Sequence, residues 1–446
     1  MTQQHRARTP IPQAVRPRAY RSGEIRRSTL PSGLRVVTEE LSGSRAFCVG
    51  FFAGVGSRHE STRLHGASHF LEHVLFKGTP RRTAEEISMS VESVGGELNA
   101  YTAKEHTCFH ARVMAEDAAL VVDVLADMIT DSLLLGSDID AERAVILDEI
   151  AMHHDDPGDV GADLVTSALF GERGLGRPVI GSVRSISQLR RNQVDDYWRR
   201  HYRPSRIVVA AAGAVDHDQL VEQLAAFHGF AAGPDHRRKP PTTTSPTTVR
   251  SGAQLVTATR DSAQVSASLA AGCPGMFDDR RYALGLLSLV LGGGMSSRLF
   301  VEVRERRGLT YSIESGESVY SDAGLFSIDW QCAPERLAEI LAVVREVTGE
   351  LAEHGISERE LAQAKTQLRG QTILAYESPN ARMSRLGSSA VSGEERGLEE
   401  HLNAYDAVTA DEVREVAEHL FDAGPVLGVV GPKLPRRRLE SFLAHW

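Results

Sequence analysis

Cysteine is scarce in this chain: four of its 446 residues are cysteines, and no two of them form a Cys-x-x-Cys pair. Scattered cysteines of this kind argue against a disulfide framework and suggest a reduced compartment. The chain also lacks an apolar run of membrane-spanning length and does not begin with the hydrophobic segment of a secretory signal. We therefore expect a cytoplasmic protein with no membrane span. The cysteines are Cys48, Cys108, Cys273 and Cys332.

A basic stripe with interleaved aromatic residues is also missing, and the formal net charge is −9. Both observations argue against nucleic acid as the main partner. The rest of the composition is ordinary for a globular protein, with 41% hydrophobic and 24% charged residues. The beginning of the chain differs, because it is rich in arginine and is interrupted by Pro10, Pro12 and Pro17. It predicts a disordered basic tail over 1–25.

The most informative motif is the run His-Phe-Leu-Glu-His at 69–73. In a helix, His69 and His73 lie one turn apart on the same face, with Glu72 beside them. Two neutral imidazoles on one face can hold a zinc ion, and an adjacent carboxylate can act as a general base toward water. The order of the residues is that of an inverted zincin. The alternative is an amphipathic helix with ordinary half-buried histidines. The presence or absence of a third ligand decides between this alternative and a zinc site.

A long helix is predicted over 138–154, because this segment contains neither glycine nor proline. Asp138 or Asp140 is the expected N-cap. The predicted apolar stripe of this helix contains Val145, Ile146 and Ile150.

Two carboxylates, Glu142 and Glu149, fall on the same stripe and stack two turns apart. An ionised acid on an apolar face needs a cation, a metal or a hydrogen-bond donor. Glu149 as the third zinc ligand and Glu142 as an acid that orients a ligand histidine would meet that need. The alternative is a pair of surface salt bridges with nearby arginines such as Arg143.

These residues together resemble the family that includes pitrilysin, insulin-degrading enzyme and mitochondrial processing peptidase. The family motif is His-x-x-Glu-His, followed downstream by Glu-x6-Glu. The resemblance, in particular to the bacterial processing-peptidase-like subgroup, implies a zinc metallopeptidase. It implies that His69, His73 and Glu149 hold one zinc ion per chain. It further implies that Glu72 is the general base and that Glu142 is a supporting acid.

A second part of the resemblance is a hairpin, Gly-Gly-Glu-Leu-Asn-Ala-Tyr-Thr at 95–102 followed by Glu-His-Thr-Cys-Phe at 105–109. Alternating residues and β-formers support two strands here. In the family, the edge strand of this hairpin lines the active site, where an edge can bind a peptide as an added strand. Asn99 and Ala100 are thus candidates for substrate binding. Without the resemblance, Asn99 is simply a polar residue on a strand.

The third part lies in the second half of the chain, where the family carries an arginine and a tyrosine seven residues apart. Arg304 and Tyr311 match that pattern. A guanidinium and a phenol can bind a peptide backbone and stabilise the oxyanion that develops during hydrolysis. The alternative for Arg304 is a solvated arginine in a charged helix.

A stretch rich in proline, threonine, arginine and histidine divides the chain nearly in half and predicts a linker over 231–248. The order of predicted strands and helices before it recurs after it, which indicates an internal duplication. We expect a zinc-binding lobe at 26–230 and a second lobe without metal ligands at 249–446. The expected fold class is α+β, with two similar lobes. Each is a mixed, largely antiparallel sheet covered by helices, as in the mitochondrial processing peptidase-like metallohydrolase fold.

The expected function is that of a zinc metalloendopeptidase that cleaves extended or unfolded peptides, with leader or precursor peptides as candidate substrates. The resemblance implies that two pairs of lobes enclose a chamber, and one chain supplies one pair. A second subunit is therefore expected, in a homodimer or a heterodimer. The alternative function is a non-catalytic scaffold or partner subunit of a heterodimeric processing peptidase.

Overall fold

The computed structural model describes residues 23–231, 246–444 and 446. Most of the predicted tail, at 1–22, and most of the predicted linker, at 232–245, lie outside the described residues. Strand β1 already begins at Glu24, within the segment predicted as a tail. It pairs with the next strand along its whole length, which gives this end of the segment a regular structure.

Two sheets of similar topology organise the described residues. The first has the order β1-β2-β6-β3-β5-β4 and the second the order β7-β11-β8-β10-β9. In each sheet one neighbouring pair is parallel, β2 with β6 and β7 with β11, and the other pairs are antiparallel. The strands are β1 Glu24–Thr29, β2 Arg35–Glu40, β3 Ala46–Ala53, β4 Glu97–Thr102, β5 Thr107–Met114, β6 Ile207–Gly213, β7 Gln254–Thr259, β8 Val265–Cys273, β9 Ile313–Val319, β10 Gly324–Cys332 and β11 Val426–Gly431.

Helices cover both sheets, so the predicted α+β fold with two similar lobes is confirmed. Each lobe has its own large core between its sheet and its helices. The α-helices are α1 Ala67–Leu75, α2 Ala84–Glu92, α3 Ala118–Asp131, α4 Gly136–Asp155, α5 Pro157–Phe170, α6 Val183–Gln188, α7 Arg191–His201, α8 His217–Ala226, α9 His228–Ala231, α10 Arg280–Gly292, α11 Leu337–His354, α12 Glu358–Ala375, α13 Pro379–Ser392, α14 Leu398–Ala407, α15 Ala410–Asp422 and α16 Arg436–Leu443.

The two lobes exchange a helix across their interface. Helix α5 comes from the first half, yet its Leu169 lies in a buried cluster with Leu325 of the second sheet. Helix α13 comes from the second half, and its Met383 lies in a buried cluster with Phe52 and Val208 of the first sheet. Because each sheet buries one face against a helix of the other half, the relative position of the lobes is fixed by apolar packing.

Helix α4 departs from its prediction at two points. It begins at Gly136, with Leu135 at the N-cap and no side-chain capping bond, so neither Asp138 nor Asp140 is the cap. The buried residues are Ile139, Glu142, Ile146 and Ile150, spaced three or four apart, whereas Val145 is 44% exposed. Val145 was wrongly placed because it lies one residue, or about 100°, away from the face that tertiary packing selects.

Nowhere in the described parts of the chain is there a helix with the length and apolar character needed to cross a lipid bilayer.

Candidate metal centre

Helix α1 presents its two faces to different surroundings. Its apolar residues, among them Phe70 and Leu71, are fully buried in the core of the first lobe. Burial of side chains of this size stabilises the fold by about 1.5–3 kcal/mol each. His69, Glu72 and His73 lie on the other side and are only partly buried. The core contacts therefore turn the His-x-x-Glu-His motif toward an accessible surface.

A buried carboxylate fixes the beginning of α1. Glu60 accepts hydrogen bonds from the backbone N–H groups of Gly66, at 2.7 Å, and Ser68, at 2.8 Å. Burial raises the pKa of Glu60 to about 7, against the opposing effect of these two bonds. Gly66 has φ of 87°, and a Cβ there would come within 2.8 Å of Gly181 Cα. A residue other than glycine would thus displace the first turn of the helix.

Helix α4 crosses beside α1 and brings both predicted acids to the motif. Arg143 stacks its guanidinium 5.8 Å from the ring of Phe70, and it donates to Asp140 and to the carbonyl of Ile186. It does not pair with Glu142 or Glu149. Arg143 therefore does not form the surface salt bridges that were the alternative role of these two acids.

Three atoms of the predicted ligand set converge. Glu149 Oε2 lies 3.8 Å from His69 Nε2 and 3.6 Å from His73 Nε2. The three ligand atoms lie within 4.8 Å of one another, and no other such group occurs in the part of the chain that the structure describes. Ligand atoms about 2.0–2.1 Å from a tetrahedral zinc ion are roughly 3.4 Å apart. The spacing therefore fits zinc with little adjustment.

The surroundings of His69 and of Glu149 also favour a bound cation. Burial, with a smaller contribution from His73, lowers the pKa of His69 to about 4, so His69 is neutral at pH 7. Among the described residues, the buried Oε2 of Glu149 has no hydrogen-bond partner. A buried carboxylate oxygen without a donor is unfavourable unless a cation faces it. Two neutral imidazoles and a carboxylate form one of the donor sets of zinc enzymes.

Glu142 supports the group from behind. Its carboxylate lies 3.0 Å from His73 Nδ1 and 2.6 Å from Lys77 Nζ, and its side chain is only 7% exposed. When Glu142 accepts a hydrogen bond from a proton on Nδ1 of His73, the unprotonated Nε2 faces Glu149. Carboxylates orient ligand histidines in this way. Lys77 was not predicted as part of this site from the sequence. Its position four residues after His73, about one helical turn further on, was the signal that could have placed it near this group.

Glu72 contacts the β4–β5 hairpin directly. The hydroxyl of Thr102, the last residue of β4, donates to Glu72 Oε2 at 2.5 Å. Burial raises the pKa of Glu72 above its ordinary value, while this bond and His73 act in the opposite direction. Thr102 was also not predicted from the sequence, although the strand alternation places it on the same side as Ala100.

Asn99 and Ala100 lie where the sequence predicts, on the edge strand of the first sheet. Asn99 is exposed, and its Oδ1 accepts a hydrogen bond of 2.8 Å from the backbone N–H of Ala100. Among the strands that the structure describes, β4 pairs only with β5, so its other edge is open to an added strand.

Arg304 and Tyr311 form a pair in the second lobe. The Arg304 guanidinium carbon lies 5.1 Å from the ring centre of Tyr311 and 4.7 Å from that of Phe300. The segment Phe300–Glu305 is a π-helix, a rare conformation that occurs often at functional sites. Tyr311 is 84% exposed. The described hydrogen bonds, ion pairs and ring contacts of both side chains stay within the second half and do not join them to the metal group.

Comparison with known proteins gives two family matches and several relatives. The family model described as insulinase (peptidase family M16) matches residues 35–183, and the one described as peptidase M16 inactive domain matches residues 188–368. A protein named uncharacterized zinc protease from Streptomyces coelicolor is 45% identical over 92% of this chain and 90% of its own. Proteins of the same description from Mycobacterium tuberculosis and Bacillus subtilis are 45% and 34% identical, over 94% and 92% of this chain and 95% and 98% of their own.

Two solved structures have a similar fold. A protease from Helicobacter pylori superposes with a TM-score of 0.86 at 21% identity, over 92% of this chain and all (100%) of that one. A peptidase M16 inactive domain from Pseudomonas fluorescens gives a TM-score of 0.83 at 21% identity, over 92% of this chain and 98% of that one.

Proposed function

The chain belongs to the insulinase family of peptidases, family M16, and from this premise we propose that it is an active zinc metalloendopeptidase that cleaves extended or unfolded peptides. The observation that carries the proposal is the convergence of His69, His73 and the unpartnered Oε2 of Glu149, with Glu72 on the same helix face. The names of the relatives, zinc proteases, support the metal and the class of reaction.

The proposed chemistry assigns distinct tasks to the residues. A zinc ion held by His69, His73 and Glu149 supplies Lewis acidity, which polarises a peptide carbonyl and makes a water molecule more acidic. Glu72 accepts the proton of that water and delivers it to the leaving amine. Because Thr102 donates to Oε2, the proton is carried on Oε1 of Glu72.

The proposed substrate site is the open edge of β4. An extended peptide would add to this edge as a strand and be held through its backbone, with little dependence on its side chains. The carboxamide of Asn99 now accepts from the N–H of Ala100. A peptide carbonyl would take over that N–H, and Asn99 would be free to bond to the peptide.

Arg304 and Tyr311 are proposed to bind the peptide backbone and to stabilise the oxyanion. Tyr311 is exposed and Arg304 is held against two aromatic rings, which suits a pair that meets a partner molecule. Since their contacts do not reach the metal group of the same chain, we propose that a second copy supplies them. The resulting homodimer would enclose the chamber, and a heterodimer with a related chain is the alternative outcome.

The scaffold alternative is less well supported. The family model described as inactive matches residues 188–368, which contain none of the metal-site residues. His69, Glu72, His73, Glu142 and Glu149 all lie within residues 35–183, the part matched by the insulinase model. A chain that had lost catalysis would have no need for an intact base and ligand set.

A complementation experiment tests the paired site. Glu72→Gln and Arg304→Ala chains are each expected to be nearly inactive alone. When they are mixed and allowed to exchange, half of the dimers contain both chains and one complete site, so activity should reach about a quarter of wild type. Cleavage of a quenched fluorescent peptide measures this, and native mass spectrometry measures the dimers. Mixed dimers without any gain in activity would contradict a site shared between chains.

A further inference from the structure

Arg58 is a buried arginine that the proposed chemistry does not use. It lies in a short 3-10 turn after β3, and its side chain is only 3% exposed. One guanidinium nitrogen, Nη1, donates to Glu105 at 2.5 Å and to the hydroxyl of Ser321 at 3.0 Å. The other, Nη2, donates to Asp322 at 2.6 Å and to the hydroxyl of Thr247 at 3.0 Å. The charge of Arg58 is therefore balanced by two carboxylates that come from different lobes.

These carboxylates lie at the tips of two hairpins. Glu105 is in the turn between β4 and β5, and Asp322 is in the turn between β9 and β10. Glu105 also accepts from the backbone N–H of Ser321 at 2.9 Å, and Asp322 accepts from the N–H of Thr247 at 2.8 Å. The hydrogen bonds thus join the tip of the hairpin that carries the open edge strand to the second lobe.

The backbone around Arg58 holds the same hairpin tip. Ser57 N–H donates to the carbonyl of Ala103 at 3.2 Å, and Arg58 N–H donates to that of Lys104 at 2.8 Å. The approach is so close that a Cβ at Gly56 would lie 2.2 Å from the oxygen of Ala103. A hairpin bound along one strand to β3 would otherwise have a free tip, and here the tip is clamped from both lobes.

We propose that Arg58 is a positioning residue for peptide binding, which acts by clamping the tip of the β4–β5 hairpin between the two lobes. This inference rests on the proposed peptidase function. The clamp holds the open edge of β4 in one place relative to α1, so that a peptide added along the edge reaches the metal site in register. The same strand ends at Thr102, whose hydroxyl donates to Glu72, so the open edge ends beside the proposed base.

The clamp predicts a selective kinetic effect. Glu105→Gln and Asp322→Asn each remove one charge partner of Arg58 and leave the other. For peptides of about ten residues or more, which can run along the six-residue strand β4, we expect KM to rise on the order of ten-fold. For short peptides that reach only the metal site, KM should stay near wild type. The two substitutions together should have little more effect than one, because both act through Arg58.

Controls separate this role from a structural one. Asp218→Asn breaks an exposed ion pair with Arg26, at 2.7 Å, far from the hairpin in the fold, and should leave both substrates unaffected. Zinc content and the unfolding temperature are measured for every variant, because a merely structural role would lower the rates for long and short peptides together. Equal effects on both substrates, or none, in folded and zinc-loaded variants would overturn the inference. If the wild-type chain cleaves neither substrate, the proposed function itself fails.

Discussion

Replacing Glu72 by glutamine is expected to lower the rate of peptide cleavage by roughly 10²–10⁴-fold while zinc binding is retained, since positioned acid–base groups contribute effects of that size. The amide keeps the shape of the side chain and can still accept from Thr102, but it cannot take a proton from water. His69, His73 and Glu149 are untouched, so the metal remains. The measurement is the cleavage rate of a quenched peptide library, with zinc determined by mass spectrometry in the same samples.

The matched control for this substitution is Glu92→Gln. Glu92 is an exposed residue at the end of α2. Its replacement by glutamine makes the same change in charge and size, but away from the metal centre. The control should cleave at the wild-type rate. If the Glu72 variant also cleaved at that rate with a full complement of zinc, the general base would have to be another group.

Replacing Glu149 by glutamine is expected to empty the metal site. The carboxylate is the one charged member of the ligand set, and its Oε2 faces both histidines. Even residues that only orient a metal ligand contribute about 10–100-fold to affinity, so loss of a ligand should weaken zinc binding by roughly 100-fold or more. The measurement is zinc content after dialysis against a weak chelator, with circular dichroism to show that the chain is folded.

Asp148→Asn is the control for Glu149, because Asp148 is the preceding residue on α4 and is exposed. It should keep its zinc. A Glu149 variant that retained stoichiometric zinc under the same dialysis would remove Glu149 from the ligand set, and the third ligand would then have to be sought elsewhere.

The residues that local periodicity governs were predictable from sequence. His69 and His73 share a helix face because of their spacing, and Glu149 joins them because its stripe on α4 faces α1. The edge position of Asn99 followed from the hairpin pattern and the family resemblance. In these cases the signal is a short spacing along one helix or strand, supplemented for Glu149 and Asn99 by the motifs of the family that the chain resembles.

The contacts that depend on tertiary packing were not predictable. The spacing of Lys77 from His73 indicates that Lys77 lies near the motif, but it does not indicate that Lys77 pairs with Glu142, which is far away in sequence. Arg58 meets Asp322 of the other lobe only because the two hairpin tips are brought together by the exchange of α5 and α13. The predicted start of α4 was also wrong, because the helix begins at Gly136, with Leu135 at the N-cap and no side-chain capping bond.

A zinc titration of the metal-stripped chain, with peptide cleavage followed in the same sample, tests the proposed zinc peptidase most directly. We expect no cleavage in the presence of chelator, a rise in rate as zinc is added, and a plateau at one equivalent per chain, since the described residues contain a single group of three ligands. The Glu149→Gln chain should show no comparable rise. Cleavage by the metal-stripped chain at the wild-type rate, or an equal response of the Glu149→Gln chain, would contradict a zinc-dependent peptidase with Glu149 as a ligand.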